Sequence, residues 1–408
     1  MSLGYRLLLL AAALFHLSLL LSWRVGFWNG YTFDSAATQG WRGWDFFAVY
    51  QAGHNLRSGV SIYESDNERI EVVAPRYTPY RYLPFVAITI GWPLSAMPPL
   101  WAYRLWLVLV ECVLLACAWD SWMRPRAPSR GALCAAMWLV FTPFYLELYM
   151  GQFSLLQAAM LLVILVALAS SSRRAERTTT LSWGLSLLWK QNTALLAPIW
   201  IKLGRWRALV VAGVAVVALS LPYYVWDPSG LPSFLGNLRA PAPAPALGNL
   251  GARQALYSLL SALAPRMGQS EHIAAQWVWL GGVLLATLWI TWRARKDAVP
   301  LVGLWMTTYF MVYHHVWEHH YVMLLPVYVS LYRRTGDWRL LLLYGLTAVW
   351  TPYRLIDPQG LAALDASMRW TPLSPAWVDV AYHASKALPT LLLWAYLGRD
   401  LLRRERAA

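Results

Sequence analysis

Four of the eight histidines in this 408-residue chain fall within seven consecutive positions, His314 to His320. The stretch His315-Val-Trp-Glu318-His319 fits the H-x-x-E-H pattern of inverzincin metalloproteases. A helix would place His315 and His319 on one face, but the pattern is short and the nearest further ligand candidate is the distant His383. The same imidazoles are suited to binding a phosphate or to orienting an acid. We therefore expect no metal site.

Asp45 is the acid whose surroundings best suit catalysis. It lies in the stretch Trp41-Arg-Gly-Trp-Asp45-Phe-Phe, in a polar segment that follows the first apolar run. An acid among aromatic side chains at an interface can have a raised pKa and act as a general base. A helix cap or an ion pair with Arg42 is the alternative role for this carboxylate.

A lysine and an amide occupy two other polar turns. Lys190, followed by Gln191-Asn192, interrupts an apolar region, and a lysine at membrane depth needs a cavity or a partner. Its ammonium group could contact a phosphate. Alternatively, the apolar stem of the side chain could lie in the membrane while the ammonium group reaches the water at the interface. Gln152 follows Gly151 at a second turn, where a cap is the simplest role for it.

Composition places these residues in a membrane protein. Hydrophobic residues make up 58% of the chain and charged residues 13%, whereas soluble domains contain roughly 25% charged residues. Tryptophan, which favours the membrane–water interface, occurs 26 times. We expect one all-α integral membrane domain over 1–408, with about a dozen transmembrane helices. The net charge of +14 is spread over short clusters, so no nucleic-acid partner is expected.

The apolar runs predict the spans. The first run, Leu7 to Trp23, lacks a following cleavage site and is expected to be an uncleaved helix. Tyr82–Pro98 is too short and too rich in proline to cross, so it is placed at the interface. The pair 180–190 and 193–203 is expected to form a hairpin that enters part way and marks a cavity. The remaining predicted spans are 99–123, 132–149, 154–171, 207–226, 276–293, 299–313, 321–333, 338–350 and 380–398.

A few polar or reactive residues lie inside these spans. Glu111 is an acid in the span 99–123, and Arg104, two helical turns away on the same face, is its expected partner. The cysteines Cys112, Cys117 and Cys134 all lie in apolar runs and are odd in number. They are therefore expected to be buried small side chains rather than disulfides or zinc ligands.

The basic residues predict the orientation. With the N-terminus in the cytoplasm, every compact basic cluster falls on the cytoplasmic side, and these clusters with Arg6 contain 20 of the 34 Lys and Arg residues. The positive-inside rule then places both termini in the cytoplasm. The outer face of the plasma membrane would carry the candidate site. Its outer segments are the loop 24–98, the turn at Gly151-Gln152, the loop 227–275, the turn His314 to His320 and the loop 351–378.

Five motifs follow one another along residues 45–326. They are Asp45-Phe46 with Tyr50, Ala52, Gly59 and Tyr63; Tyr82-Leu83-Pro84; Gly151-Gln152; Lys190 to Pro198; and Trp317-Glu-His319-His320 to Leu325-Pro326. In this order they resemble glycosyltransferase family 87. There are departures from the family's pattern: Leu83 replaces a proline, Ser154 stands where asparagine is expected, and the Lys190 segment carries extra residues before Pro198.

The resemblance implies a GT-C fold and an inverting enzyme that needs no cofactor. Its donor would be a polyprenyl-phosphate sugar, typically mannose, and its acceptor a lipid or glycan among the membrane lipids. Asp45 is implied as the general base. The residues implied to contact the donor phosphate are Lys190, His319, His320 and Arg81, and those implied to contact the substrates are Gln152, Tyr50, Glu318 and Trp317.

A transporter or lipid flippase is the main alternative, because transporters also contain broken helices and polar residues near the membrane midplane. A transporter would not need an acid in a long outer loop, and the sequence shows no two-fold internal repeat. A protein that binds lipid-linked glycans without catalysis is a further alternative.

Overall fold

The chain folds into helices joined by irregular segments. The computed structural model describes residues 2–28, 42–125, 127–170, 172–238, 248–352 and 375–406, and these ranges contain no strand, so the predicted all-α class is confirmed. Residues 29–41 of the first loop, residues 239–247 of the loop 227–275 and residues 353–374 of the last outer loop lie outside the described part. The helices are α1 (Leu3–Val25), α2 (Trp44–Arg57), α3 (Pro84–Leu94), α4 (Pro99–Met123), α5 (Pro128–Leu139), α6 (Pro143–Met150), α7 (Ser154–Leu168), α8 (Arg173–Trp189), α9 (Ala197–Lys202), α10 (Trp206–Trp226), α11 (Gly230–Leu238), α12 (Ala252–Leu263), α13 (Gln269–Arg293), α14 (Ala298–Val312), α15 (Leu325–Thr335), α16 (Trp338–Ala348) and α17 (Ala376–Arg406), with 3₁₀ turns at Gln191–Leu196 and Glu318–Leu324.

Four helices of the described part are long and apolar enough to cross a membrane, namely α1, α4, α10 and α13. The pair α5 and α6, bent by 45°, makes a fifth if it is one span. Leu14, Val214 and Leu285 on these helices are more than half exposed, as side chains that face lipid would be. These features identify a helical membrane protein, whereas the number of about a dozen spans stays a prediction.

The segment predicted to lie at the interface forms the short helix α3. It contains a π-helical turn at Ala87–Gly91 and packs against α2, the helix that carries Asp45. The two backbones meet at Gly53 and Gly91, where a Cβ on Gly53 would lie 1.9 Å from the carbonyl carbon of Gly91. Glycine at this crossing is therefore what allows α2 to lie directly on α3.

Replacing Gly53 by alanine should force α2 away from α3, because the atoms that its Cβ meets are backbone. Overpacking of this kind costs about 1–3 kcal/mol, so we expect a lower melting temperature of the purified protein. Gly213→Ala is the matched control, since a Cβ there would meet nothing within 4 Å. Equal melting temperatures for the two variants would contradict the close backbone contact.

The hairpin predicted around Lys190 is present, and its arms differ from the expected ones. The first arm, α8, begins at Arg173 rather than at 180, because the hydroxyl of Ser172 accepts a backbone N–H of its first turn at 3.2 Å. The second arm is the 3₁₀ turn followed by α9. The indole N–H of Trp183 donates to the carbonyl of Thr193 at 2.9 Å, which folds the second arm back on the first and places Lys190 at the tip.

Glu111 has a different partner from the one that the sequence predicts. Its carboxylate lies 3.1 Å from Nε2 of His16 on α1, whereas the guanidinium of Arg104 stacks over Trp101 at 5.0 Å. Two helical turns separate Arg104 from Glu111 by about 10 Å along the axis. A neighbouring helix therefore brings a closer group to the acid than its own helix does.

Candidate active site

Asp45 lies in the first turn of α2, and both of its carboxylate oxygens accept hydrogen bonds. Nε2 of Gln152 donates to Oδ2 at 2.7 Å, and Oγ1 of Thr78 donates to Oδ1 at 3.3 Å. The helix cap is Gly43, in the left-handed region, and the guanidinium of Arg42 lies over the Trp23 ring at 4.5 Å. The carboxylate thus serves neither as the cap of α2 nor as the partner of Arg42.

The surroundings of Asp45 suit a proton acceptor. Burial raises the pKa of its carboxyl, while the hydrogen bond from Gln152 and the charges of Lys190 and Arg81 oppose the rise. A raised pKa makes the carboxylate a better base near neutral pH. The residue as a whole keeps part of its surface exposed.

The amide of Gln152 joins the acid to the lysine. Its Nε2 donates to Asp45, and its Oε1 accepts from Nζ of Lys190 at 3.1 Å. Nζ of Lys190 also donates to Oγ of Ser154 at 3.2 Å, so the serine at the expected asparagine position supplies an oxygen to the cation. The neighbouring Gly151 has a φ of +64°, and a Cβ there would lie 2.5 Å from Cβ of Phe46. Only glycine permits this turn to touch α2.

Glu147 is a second buried acid at the site, which the sequence analysis did not identify. Its side chain has no exposed surface. Its Oε1 accepts the backbone N–H of Leu155 at 2.7 Å, and its Oε2 is buried with no hydrogen-bond partner among the described residues. It lies close enough for its charge to act on Lys190. An acid inside the predicted span 132–149 is the signal that could have found it.

His319 and His320 lie on the 3₁₀ turn that packs against α6 and α7. Nδ1 of His320 accepts the backbone N–H of Trp317 at 2.9 Å. Burial lowers the pKa of both imidazoles well below the ordinary value, and the charge of Lys190 lowers it further. Both rings are therefore neutral near pH 7. The two ring nitrogens of His319 are buried and have no hydrogen-bond partner in the described part of the chain, which leaves them available to a bound group.

The H-x-x-E-H pattern does not form the helix that a zinc site would need. Residues 314–317 are irregular, and the 3₁₀ turn begins only at Glu318. Nε2 of His315 accepts the indole N–H of Trp317. No three His, Cys, Asp or Glu side chains of the described part lie close enough to hold a metal ion. The metalloprotease alternative therefore has no support in the structure.

The remaining predicted contacts lie around this centre rather than within it. Arg81 is exposed. Burial of His315, together with the charges of His314 and Arg81, lowers the pKa of His315 to about 4. The hydroxyl of Tyr50 donates to the carbonyl of Met97 at 2.8 Å, in the packing of α2. The structure thus brings together an acid, an amide, a lysine and two imidazoles, and it places Tyr50 in a structural hydrogen bond.

Glu318 belongs to a buried ion pair with the last helix. Nζ of Lys386 on α17 lies 3.5 Å from Oε1 of Glu318, which also accepts the backbone N–H of Thr351 at 3.1 Å. Lys386 donates in addition to the carbonyls of Thr347 and Val349. Glu318 therefore anchors the turn that carries His319. The sequence signal for this anchor is a lysine inside the predicted span 380–398.

Breaking this pair from one side should destabilise the protein. Lys386→Met leaves the Glu318 carboxylate buried without its cation, which costs about 3–5 kcal/mol, so the melting temperature should fall clearly. Adding Glu318→Gln removes the unpaired charge and keeps an acceptor for Thr351, so the double variant should recover most of the loss. A double variant that melts as low as Lys386→Met would contradict the buried pair.

An acid, a lysine and two neutral imidazoles thus lie close together in a protein whose apolar helices identify it as a membrane protein. The chain belongs to glycosyltransferase family 87, whose family model matches residues 80–314, more than half of the chain. It is therefore a glycosyltransferase. Arg81, Gln152 and Lys190 fall within the matched residues, whereas Asp45 and His319 lie outside them. No curated protein and no solved structure matches the chain.

Proposed function

We propose that the chain transfers a hexose, in the first instance mannose, from a polyprenyl-phosphate donor to a hydroxyl of a lipid or glycan acceptor, with inversion at the anomeric carbon. The observation that carries the proposal is the hydrogen-bonded series Asp45–Gln152–Lys190. A single displacement needs a base for the nucleophile and positive charge for the leaving group. This series supplies both, linked by one amide.

Asp45 is the base in this proposal. Its carboxylate takes the proton of the acceptor hydroxyl as the oxygen attacks the anomeric carbon from the side opposite the phosphate. The bond between that carbon and the phosphate oxygen breaks, and its electron pair leaves with polyprenyl phosphate. Because attack and departure occur on opposite faces, the configuration inverts.

Lys190 and His319 stabilise the leaving phosphate. The ammonium group is already oriented by Gln152 and Ser154, and a preorganised cation in a buried site stabilises developing negative charge better than one that must be reoriented. Neutral His319 can donate one N–H to a phosphate oxygen without adding a further buried positive charge. His320 and Arg81 flank this position.

The charge pattern supports an active site at the outer face. Asp45 and Gln152 lie in segments that fall on the side opposite the compact basic clusters, which the positive-inside rule assigns to the cytoplasm. A GT-C fold with about a dozen spans and a lipid tail lodged between helices fits a donor that remains in the membrane. The lipid-facing surfaces of α1, α10 and α13 suit such a donor.

Asp45→Asn should abolish transfer while the protein stays folded, because asparagine keeps the shape of the side chain and removes the base. A general base contributes about 10²–10⁴-fold to the rate, so kcat should fall by about that factor. The assay follows radiolabelled mannose from polyprenyl-phosphate mannose into lipid or glycan. Asp66→Asn, at an exposed acid of the same outer loop, should transfer normally. Transfer by Asp45→Asn at the wild-type rate would remove Asp45 as the base.

Lys190→Met should weaken use of the donor more than use of the acceptor. Methionine keeps the apolar stem and removes the charge, and a charge-assisted hydrogen bond to phosphate is worth about tenfold or more in affinity. We therefore expect a higher apparent KM for the donor, together with a lower kcat. Lys296→Met, at an exposed lysine in a basic cluster, is the matched control. A donor KM and kcat unchanged from wild type would show that Lys190 does not contact the phosphate.

A further inference from the structure

Arg253, in the first turn of α12, is buried without an acid. The side chain is 9% exposed, its Nη2 donates to Oε1 of Gln276 at 3.0 Å, and its guanidinium lies over the Trp277 ring at 5.8 Å. Its Nε is buried without a partner, and no carboxylate of the described residues pairs with it. Burial lowers the pKa of this guanidinium, and no nearby acid opposes the effect.

The charges around Arg253 make its position more costly. The N-terminal end of a helix carries partial positive charge, so a cation in the first turn of α12 is disfavoured. The chain just before α12 is bound to the histidine turn, since Nδ2 of Asn249 donates to the carbonyl of His314 at 2.7 Å. Besides burial, the charges of Arg253 and Arg81 both lower the pKa of His314. Basic groups thus lie close together here, and no acid of the described residues acts on Arg253 or His314.

A buried cation without a partner is strongly destabilising. Lys190 is already balanced by the nearby charges of Asp45 and Glu147, whereas Arg253 has only an amide and an aromatic ring. Nε of Arg253 is therefore a buried donor with no acceptor among the described residues, and an oxyanion would supply that acceptor.

We propose that Arg253 and His314 form a second oxyanion subsite, next to the Lys190 site, that binds the phosphate group of an anionic phospholipid. The planar guanidinium matches phosphate in geometry and can donate two parallel hydrogen bonds to it. Lipid is the favoured source because the residues next to this cluster on α13, Trp277 and Val278, are 61% and 76% exposed. An exposed tryptophan beside an arginine is typical of the headgroup region.

The test uses the full-length protein in phosphatidylcholine nanodiscs that contain a minor fraction of phosphatidylglycerol. Native mass spectrometry counts the phosphatidylglycerol molecules that remain bound after release from the nanodisc. Arg253→Gln should reduce their retention about tenfold, the loss expected for a charge-assisted bond to phosphate. Arg266→Gln, at an exposed arginine of the same outer loop, should retain them as wild type does. Lys190→Met should also retain them, because Lys190 bonds to Gln152 and Ser154 and its charge does not act on Arg253 or His314.

A second experiment tests whether the bound phosphate group belongs to a lipid or is free phosphate. Calorimetric titration of the detergent-solubilised protein with inorganic phosphate, in parallel with phosphatidylglycerol micelles, measures each source on its own. Binding of either that is lost in Arg253→Gln and kept in Arg253→Lys supports the oxyanion subsite, and the stronger ligand identifies the source. Arg253→Lys also covers the case in which the glutamine variant does not fold. Equal retention of lipid and equal phosphate binding in wild type, Arg253→Lys and Arg253→Gln would overturn the proposal.

Discussion

The site depends on holding a carboxylate and an ammonium group close together without direct contact. In buried surroundings the attraction between opposite charges is much stronger than in water, and a direct pair would occupy both groups. Gln152 stands between them, accepting from Lys190 and donating to Asp45. Each charge is stabilised through a neutral amide. Asp45 therefore keeps its capacity to accept a proton, and Lys190 keeps its capacity to bind an anion.

The position of this amide follows from the way the surrounding helices meet. Gly151 ends α6 with a left-handed turn that no larger residue could make against Phe46. The backbone N–H of Gln152 then donates to the carbonyl of Glu147 at 2.9 Å, which fixes the start of the side chain. The hairpin tip places Lys190 against Gln152, and the turn anchored by Glu318 places His319 close enough to feel the charge of Lys190. Four separate parts of the chain thus converge on one polar centre.

The residue pattern and the family resemblance single out Asp45, Gln152 and Lys190, and the structure places these three side chains in one hydrogen-bonded series. Their catalytic roles stay a proposal. Glu147 and Lys386 were missed because each lies inside an apolar run, where a single polar residue shows no partner until the helices pack. The same reason explains why Arg104 was expected beside Glu111, although His16 from another helix lies there. Partners from distant segments follow from tertiary packing, which residue spacing within one helix does not contain.

The pH dependence of kcat/KM, compared between wild type and Gln152→Met, tests the central claim most directly. Asp45 must be ionised to act as the base, so activity falls as the pH drops through its pKa. The Gln152 bond lowers that pKa against the effect of burial. Its removal should therefore raise the pKa and move the acidic limb of the profile upward by about one pH unit. An acidic limb at the same pH in both proteins would contradict an Asp45 base held ionised by Gln152.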